Sequence, residues 1–229
     1  MAIYLSGTDV LLVDSKVSTS ADCCCCCLDA NDDFGGTGEN SGSVGDANYS
    51  CRWSNTTPGS SSIAIVSGKL DLVGVSANTG RVVTAANQFA QPVSGDFNVS
   101  VVITNVGTPG TSQESAAFLT LVVGGTQYEA GIINSNITAN NGGYISYPYP
   151  TTQTEGAVSA TTTATISRVG STITVASTSG ALSTTVTNSG TLTSISLVNA
   201  FYTTGSAYSD TVTFDTFTAT DGTNPLPLC

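Results

Sequence analysis

From Asp32 onward, apolar and polar residues alternate in short runs broken by clusters of Gly, Pro and Asn. A period of two marks a strand with one buried and one wetted face, and nowhere are apolar positions three and four apart sustained as an amphipathic helix requires. The runs predict strands at Ile63–Val66, Lys69–Val73, Arg81–Ala85, Phe97–Thr104, Ala116–Val123 and Gln127–Ile133. The second half adds Thr163–Val169, Thr172–Ser177, Leu182–Thr187, Thr193–Val198 and Thr211–Ala219. In the strand from Phe97, the residues Phe97, Val99, Val101 and Ile103 share one face; in the strand from Thr211, Val212 and Phe214 oppose Thr211 and Thr213. Many short strands with turn residues between them predict a sandwich or a barrel. The rhythm breaks over residues 140–160, where Gly142, Gly143, Pro148 and Pro150 lead into a Thr-rich run. This reads as a long exposed loop, of the kind that carries binding on a rigid scaffold. Ahead of the alternating region, Ile3–Leu5 and Val10–Val13 flank a Ser-Gly-Thr-Asp turn. They predict a small hairpin that must pack on the main domain or on a neighbouring subunit. The expected division is an N-terminal hairpin and Cys-rich segment over residues 1–28 and one β domain over 29–229.

Composition narrows what that domain does. Charged residues make up only 9% of the chain, against roughly 25% in an ordinary domain, so its surface is built from Ser, Thr, Asn and Gly. The five cations, Lys16, Arg52, Lys69, Arg81 and Arg168, are scattered against 16 Asp and Glu, for a net charge of −11. No basic patch follows from them, which argues against nucleic acid and against anionic membrane surfaces. Histidine is absent, which removes Ser-His-Asp and Cys-His catalysis and imidazole metal ligands together. No apolar run reaches the roughly 20 residues of a membrane helix. Met1–Val13 does not read as a secretory signal, since no positive charge precedes its apolar stretch and Asp9 interrupts it. Four Asn-x-Ser/Thr triplets begin at Asn48, Asn55, Asn98 and Asn136, a number that chance supplies in so Ser- and Thr-rich a chain.

Several segments, in order, resemble the concanavalin A-like lectin/glucanase superfamily over about residues 30–222: Asp32-Asp-Phe34, Trp53, Ser67-Gly-Lys-Leu-Asp-Leu72, Gly95-Asp-Phe-Asn-Val99, Ile166 to Thr174, and Phe214-Asp-Thr-Phe217. The resemblance implies an all-β, two-sheet antiparallel jelly-roll sandwich that binds sugars or partners on its concave face or at its loops. Catalytic members carry paired carboxylates on one strand. Here Glu114, Glu129 and Glu155 stand far apart, whereas glycoside hydrolysis needs two carboxyls roughly 5–9.5 Å apart, so a non-enzymatic protein is expected. The N-terminal Met-x-Ile-Tyr-Leu hairpin followed by Ala-Asp-Cys-Cys-Cys looks like small virion proteins of tailed bacteriophages.

Three groups of residues carry candidate chemistry. Cys23, Cys24, Cys25, Cys26 and Cys27 form an unbroken run, with Cys51 and Cys229 as the remaining cysteines. Adjacent Cα atoms lie about 3.8 Å apart, below the usual disulfide spacing, so bridges from this run must reach Cys51, Cys229 or another subunit. Reduced buried thiols and a thiolate metal site stay open beside cross-links, although zinc sites favour Cys-x-x-Cys spacing. Tyr144, Tyr147 and Tyr149 gather in the expected loop, where their rings either stack on sugars or a partner, or pack the loop on the sandwich. Asp33 and Asp215 fall where the superfamily often holds a structural calcium, against the alternative of solvated or turn-capping aspartates. Trp53 is expected in the core.

The expectation from sequence is a structural or surface protein of a phage virion, as capsid decoration or a tail or fibre component. It would contact other virion subunits, copies of itself and a host-surface glycan. A stand-alone, extracellular carbohydrate-binding module is the alternative.

Overall fold

The computed structural model describes residues 30–35, 51–76, 80–88, 92–137, 141–204 and 207–227. The expected N-terminal hairpin, the boundary at residue 28, the run Cys23–Cys27 and Cys229 lie outside the described residues. Each predicted strand forms, most of them extended by a few residues, and they assemble into two antiparallel sheets of seven strands. The first sheet is ordered β1 (Trp53–Thr56), β4 (Gly80–Gln88), β13 (Leu192–Thr203), β6 (Gln113–Val123), β7 (Thr126–Ser135), β8 (Gly142–Ser146) and β9 (Thr152–Glu155). The second is ordered β12 (Leu182–Thr187), β11 (Thr172–Ser177), β10 (Thr162–Val169), β5 (Phe97–Asn105), β14 (Tyr208–Thr220), β3 (Lys69–Ser76) and β2 (Ser62–Val66). The chain changes sheet between β1 and β2, β3 and β4, β4 and β5, β5 and β6, β9 and β10, β12 and β13, and β13 and β14, so the two strands of each of these pairs lie in opposite sheets. The fold is a jelly-roll sandwich. No helix among the described residues is long and apolar enough to cross a membrane.

The long loop expected over residues 140–160 is a correction. Most of it is the hairpin of β8 and β9, which extends the first sheet beyond β7. Its glycines serve close packing rather than a mobile turn, because a Cβ on Gly143 would lie 1.8 Å from the Ser179 carbonyl oxygen. The turn between the strands holds cis Tyr147–Pro148 and Tyr149–Pro150 bonds and is closed by Thr151 N–H donating to the Pro148 carbonyl at 2.8 Å.

Alternation places the core as the sequence implies. Phe97, Val99, Val101 and Ile103 of β5 and Val212 and Phe214 of β14 are all buried between the sheets. Strand β14 then changes phase. A bulge at Thr216, with φ of 45°, interrupts its register with β5, so that Phe217 and Ala219 also point inward. Phe217 meets Trp53 edge-on at 5.0 Å, and Phe34 packs on the same indole at 6.0 Å. The Trp53 Nε1–H donates to Asp32 Oδ2 at 2.8 Å, which satisfies the one polar atom of the ring. Three of the segments that carry the family resemblance thus meet in a single cluster. Two more meet in a second cluster, where the Arg168 guanidinium lies 5.0 Å over the Phe97 ring and donates to the Gly95 and Gly190 carbonyls.

Candidate functional site

The first sheet departs from simple alternation on its outer face. Side chains that point away from the core form a second apolar cluster of Ala116 and Phe118 on β6, Ile133 on β7 and Ala200 on β13, with Tyr144 and Val198 packed against it. In register, Val198 stands opposite Phe118, Phe118 opposite Gly131, and Gly131 opposite Tyr144. The glycine leaves a gap between its flanking strands, and the Phe118 and Tyr144 rings lean across it to meet with centroids 4.6 Å apart. Around this pair lies a depression of ≈ 200 Å³ whose lining includes Tyr144, Tyr149, Tyr202, Glu114 and Glu129.

One register step along the strands the face turns polar. Ser196, Thr120, Glu129 and Ser146 stand in one row across β13, β6, β7 and β8. Glu129 is only 5% exposed and is held from two sides. Tyr144 Oη–H donates to its Oε2 at 3.2 Å and Gln127 Nε2–H to its Oε1 at 2.7 Å. The neighbouring hydroxyls of Thr120 and Ser146 are buried without a hydrogen-bond partner among the described residues. A second depression of ≈ 320 Å³, lined by Asn87, Thr120, Gln127, Glu129 and Ser196 among others, adjoins the aromatic one and shares Glu129 with it. The Ser196 hydroxyl donates to Asn87 Oδ1 at 2.9 Å, which orients the amide at its rim.

The predicted site residues divide. Tyr144 and Tyr149 line the aromatic depression, the latter with 53% of its surface exposed, whereas Tyr147 points inward and packs on the core. Asp215 pairs with Lys69 Nζ at 3.1 Å, and Asp33 Oδ1 accepts from Gly35 N–H at 2.8 Å in a turn. No group of three or more Cys, Asp or Glu side chains among the described residues is placed to hold a metal ion. Cys51 is disulfide-bonded. Glu114 and Glu129 both line the aromatic depression. Glu129 stands opposite Thr120, six residues along β6 from Glu114, which is about 20 Å of strand. Glu155 lies on the edge strand opposite Gly143.

A second buried carboxylate lies on the inner side of the second sheet. Asp210 is 2% exposed and accepts from Ser115 Oγ–H at 2.7 Å and from Tyr208 Oη–H at 3.4 Å. Burial raises its pKa, and those hydrogen bonds pull it partly back. The Tyr208 hydroxyl is raised as well, by burial first and then by the Asp210 charge. The sequence reading missed Glu129, Phe118, Thr120 and Asp210. The signal for Phe118 was present in the apolar, non-alternating stretches Ala116–Leu119 and Ala130–Ile133, which are unusual for a sandwich strand with a wetted face.

No protein-family model matches the chain, and no curated protein matches its sequence. Solved structures share its fold. A sialidase superimposes with a TM-score of 0.52 at 10% identity, over 84% of this chain but 18% of the sialidase. A legume lectin-like domain from Entamoeba histolytica gives 0.49 at 8% identity, over 76% of this chain and 91% of that one. A Saccharomyces cerevisiae protein described as functionally unknown gives 0.48 at 12% identity, over 74% of this chain and 96% of that one.

Proposed function

We propose that this jelly roll is a glycan-binding module whose site is the outer face of the first sheet across β13, β6, β7 and β8. The observation that carries the reading is the side-by-side placement of an aromatic depression and a polar one, joined at a fixed carboxylate. A pyranose ring has apolar C–H faces and a rim of hydroxyls. It therefore needs both an aromatic surface and hydrogen-bonding groups held in place, which is the usual make-up of small-ligand sites. Tyr144 and Tyr149 offer the ring faces, and Glu129, Thr120, Asn87 and Ser196 offer donors and acceptors. The module is read as non-enzymatic, because a glycosidic bond lying here would meet one carboxylate rather than a pair.

Affinity electrophoresis against a panel of polysaccharides tests this. Retardation by at least one polymer is expected, and Tyr144→Ala should weaken it about tenfold or more through the lost ring contact. Tyr147→Ala, which opens the core instead, should lower Tm while leaving the retardation per folded molecule in place. No retardation by any polymer would overturn the reading, and release of new reducing ends would overturn its non-enzymatic part.

Its setting on a phage particle is a separate proposal that rests on the resemblance of residues 1–28. Light scattering with and without reductant tests it. A large assembly that shrinks on reduction supports a cross-linked virion component, and a monomer in both conditions removes that setting.

A further inference from the structure

Resting on that reading, we infer that the site takes an uncharged glycan chain and that Glu129 is the residue that turns anionic glycans away. The two depressions share Glu129, so a ligand spanning both passes over its carboxylate. A chain of at least two sugar residues fits this layout better than a single ring, with one ring at Tyr144 and the next over the polar row. Among the described side chains, no Lys or Arg lines either depression. Among the described cations, Arg52 and Arg168 are buried at 1% exposure and Lys69 is paired with Asp215. Arg81 occupies the register position opposite Tyr202, in the row of Glu114, about 20 Å of strand from the row of Glu129.

Tyr144 and Gln127 each donate one hydrogen bond to the Glu129 carboxylate, which holds it in place between the two depressions. A sugar hydroxyl approaching this carboxylate donates a charge-assisted hydrogen bond. A uronate or sialyl carboxylate at the same position brings a second negative charge into a partly desolvated site, where like charges repel strongly.

The experiment compares the intact chain and Glu129→Gln in affinity electrophoresis against laminarin and galactomannan as neutral polymers and alginate and polygalacturonate as anionic ones. Circular dichroism checks that the variant is folded. The intact chain should prefer neutral over anionic polymers by about tenfold or more, and the preference should narrow between low salt and 0.5 M salt as the repulsion is screened. Glu129→Gln, of nearly equal shape but uncharged, should cut that preference about tenfold. Equal binding of neutral and anionic polymers by the intact chain would overturn the inference while leaving a glycan-binding module in place. A preference untouched by both salt and Glu129→Gln would remove Glu129 from the explanation. If no polymer binds, the underlying reading fails, which is a different result from either. Should the variant not fold, the salt dependence of the intact chain decides alone.

Discussion

The two sheets spend their outward-facing residues differently. On the second sheet, β10 and β11 alternate cleanly, with Ala164, Ile166, Ile173 and Val175 inside and Thr163, Thr165, Ser167 and Thr174 outside. On the first sheet, Ser115–Leu119 of β6 and Tyr128–Ile133 of β7 are buried at consecutive positions, so both faces of these strands are dry. A sandwich needs one buried face per strand to build its core. The extra apolar surface on the first sheet is therefore surplus to folding, and it coincides with the aromatic pair, the fixed carboxylate and both depressions. The contrast is what the proposed site rests on: the outer face of one sheet is polar and alternating, and that of the other is apolar and recessed.

The contrast can be broken most directly at Gly131. A Cβ there would lie 1.9 Å from the Ala117 carbonyl oxygen, so Gly131→Ala must push β7 away from β6 and separate the rings of Phe118 and Tyr144. Overpacking of this kind costs about 1–3 kcal/mol, which lowers Tm by roughly 2–4 °C per kcal/mol in a chain of this size. Thr165→Ala on the outer face of β10 should stay within about 0.5 kcal/mol, as most surface substitutions do. Thermal unfolding of the two variants gives the comparison. Equal and small effects would mean that the first sheet is as tolerant as the second and that the close approach at Gly131 has no consequence.

The same division explains what was legible in the sequence. The second sheet was read almost strand for strand, because period-two alternation is the pattern that one-sided burial leaves behind. The expected strand from Ala116 was placed correctly but started three residues late, and its outer face went unnoticed because consecutive apolar residues carry no phase. Strands β8 and β9 were missed for a different reason. Gly142, Gly143, Pro148 and Pro150 are loop residues by local preference, and only the backbone of Ser179 approaching from the opposite sheet explains why glycine is needed there. The bulge at Thr216 was likewise invisible, although it is what lets Phe214 and Phe217, three residues apart, enter the same core. Of the candidate residues, Tyr144 and Tyr149 reach the face while Tyr147 packs on the core; Tyr147 and Tyr149 lie in the turn after β8, where strand parity no longer assigns a face. Glu129 gave no local sign, because a single Glu in a strand is distinguished only by what stands beside it.

A smaller and more specific effect sharpens the comparison from inside. Besides Asp32, which accepts from Trp53, two carboxylates are nearly buried, one on a strand of each sheet: Glu129 faces outward at the proposed site, whereas Asp210 faces the core beneath Gly107, where a Cβ would lie 1.5 Å from its Oδ1. Its neighbours are hydroxyls, Ser115 from the first sheet and Tyr208 from its own strand. Its pKa is raised chiefly by burial above an ordinary value near 3.8. A carboxyl raised in the folded state supports the fold fully only below the unfolded value, and that support is lost as pH climbs through the raised folded value. Urea midpoints of the intact chain should therefore fall, relative to Asp210→Asn, as pH rises from about 4 toward neutrality, with the m-values unchanged. Asparagine carries no charge to bury; its one oxygen accepts from one hydroxyl and its amide N–H donates to the other, so the variant removes the ionisation at the cost of one reversed hydrogen bond. Parallel midpoints across that range would show that Asp210 ionises at no cost. The Ser115 and Tyr208 hydroxyls would then offset the whole desolvation cost of its charge.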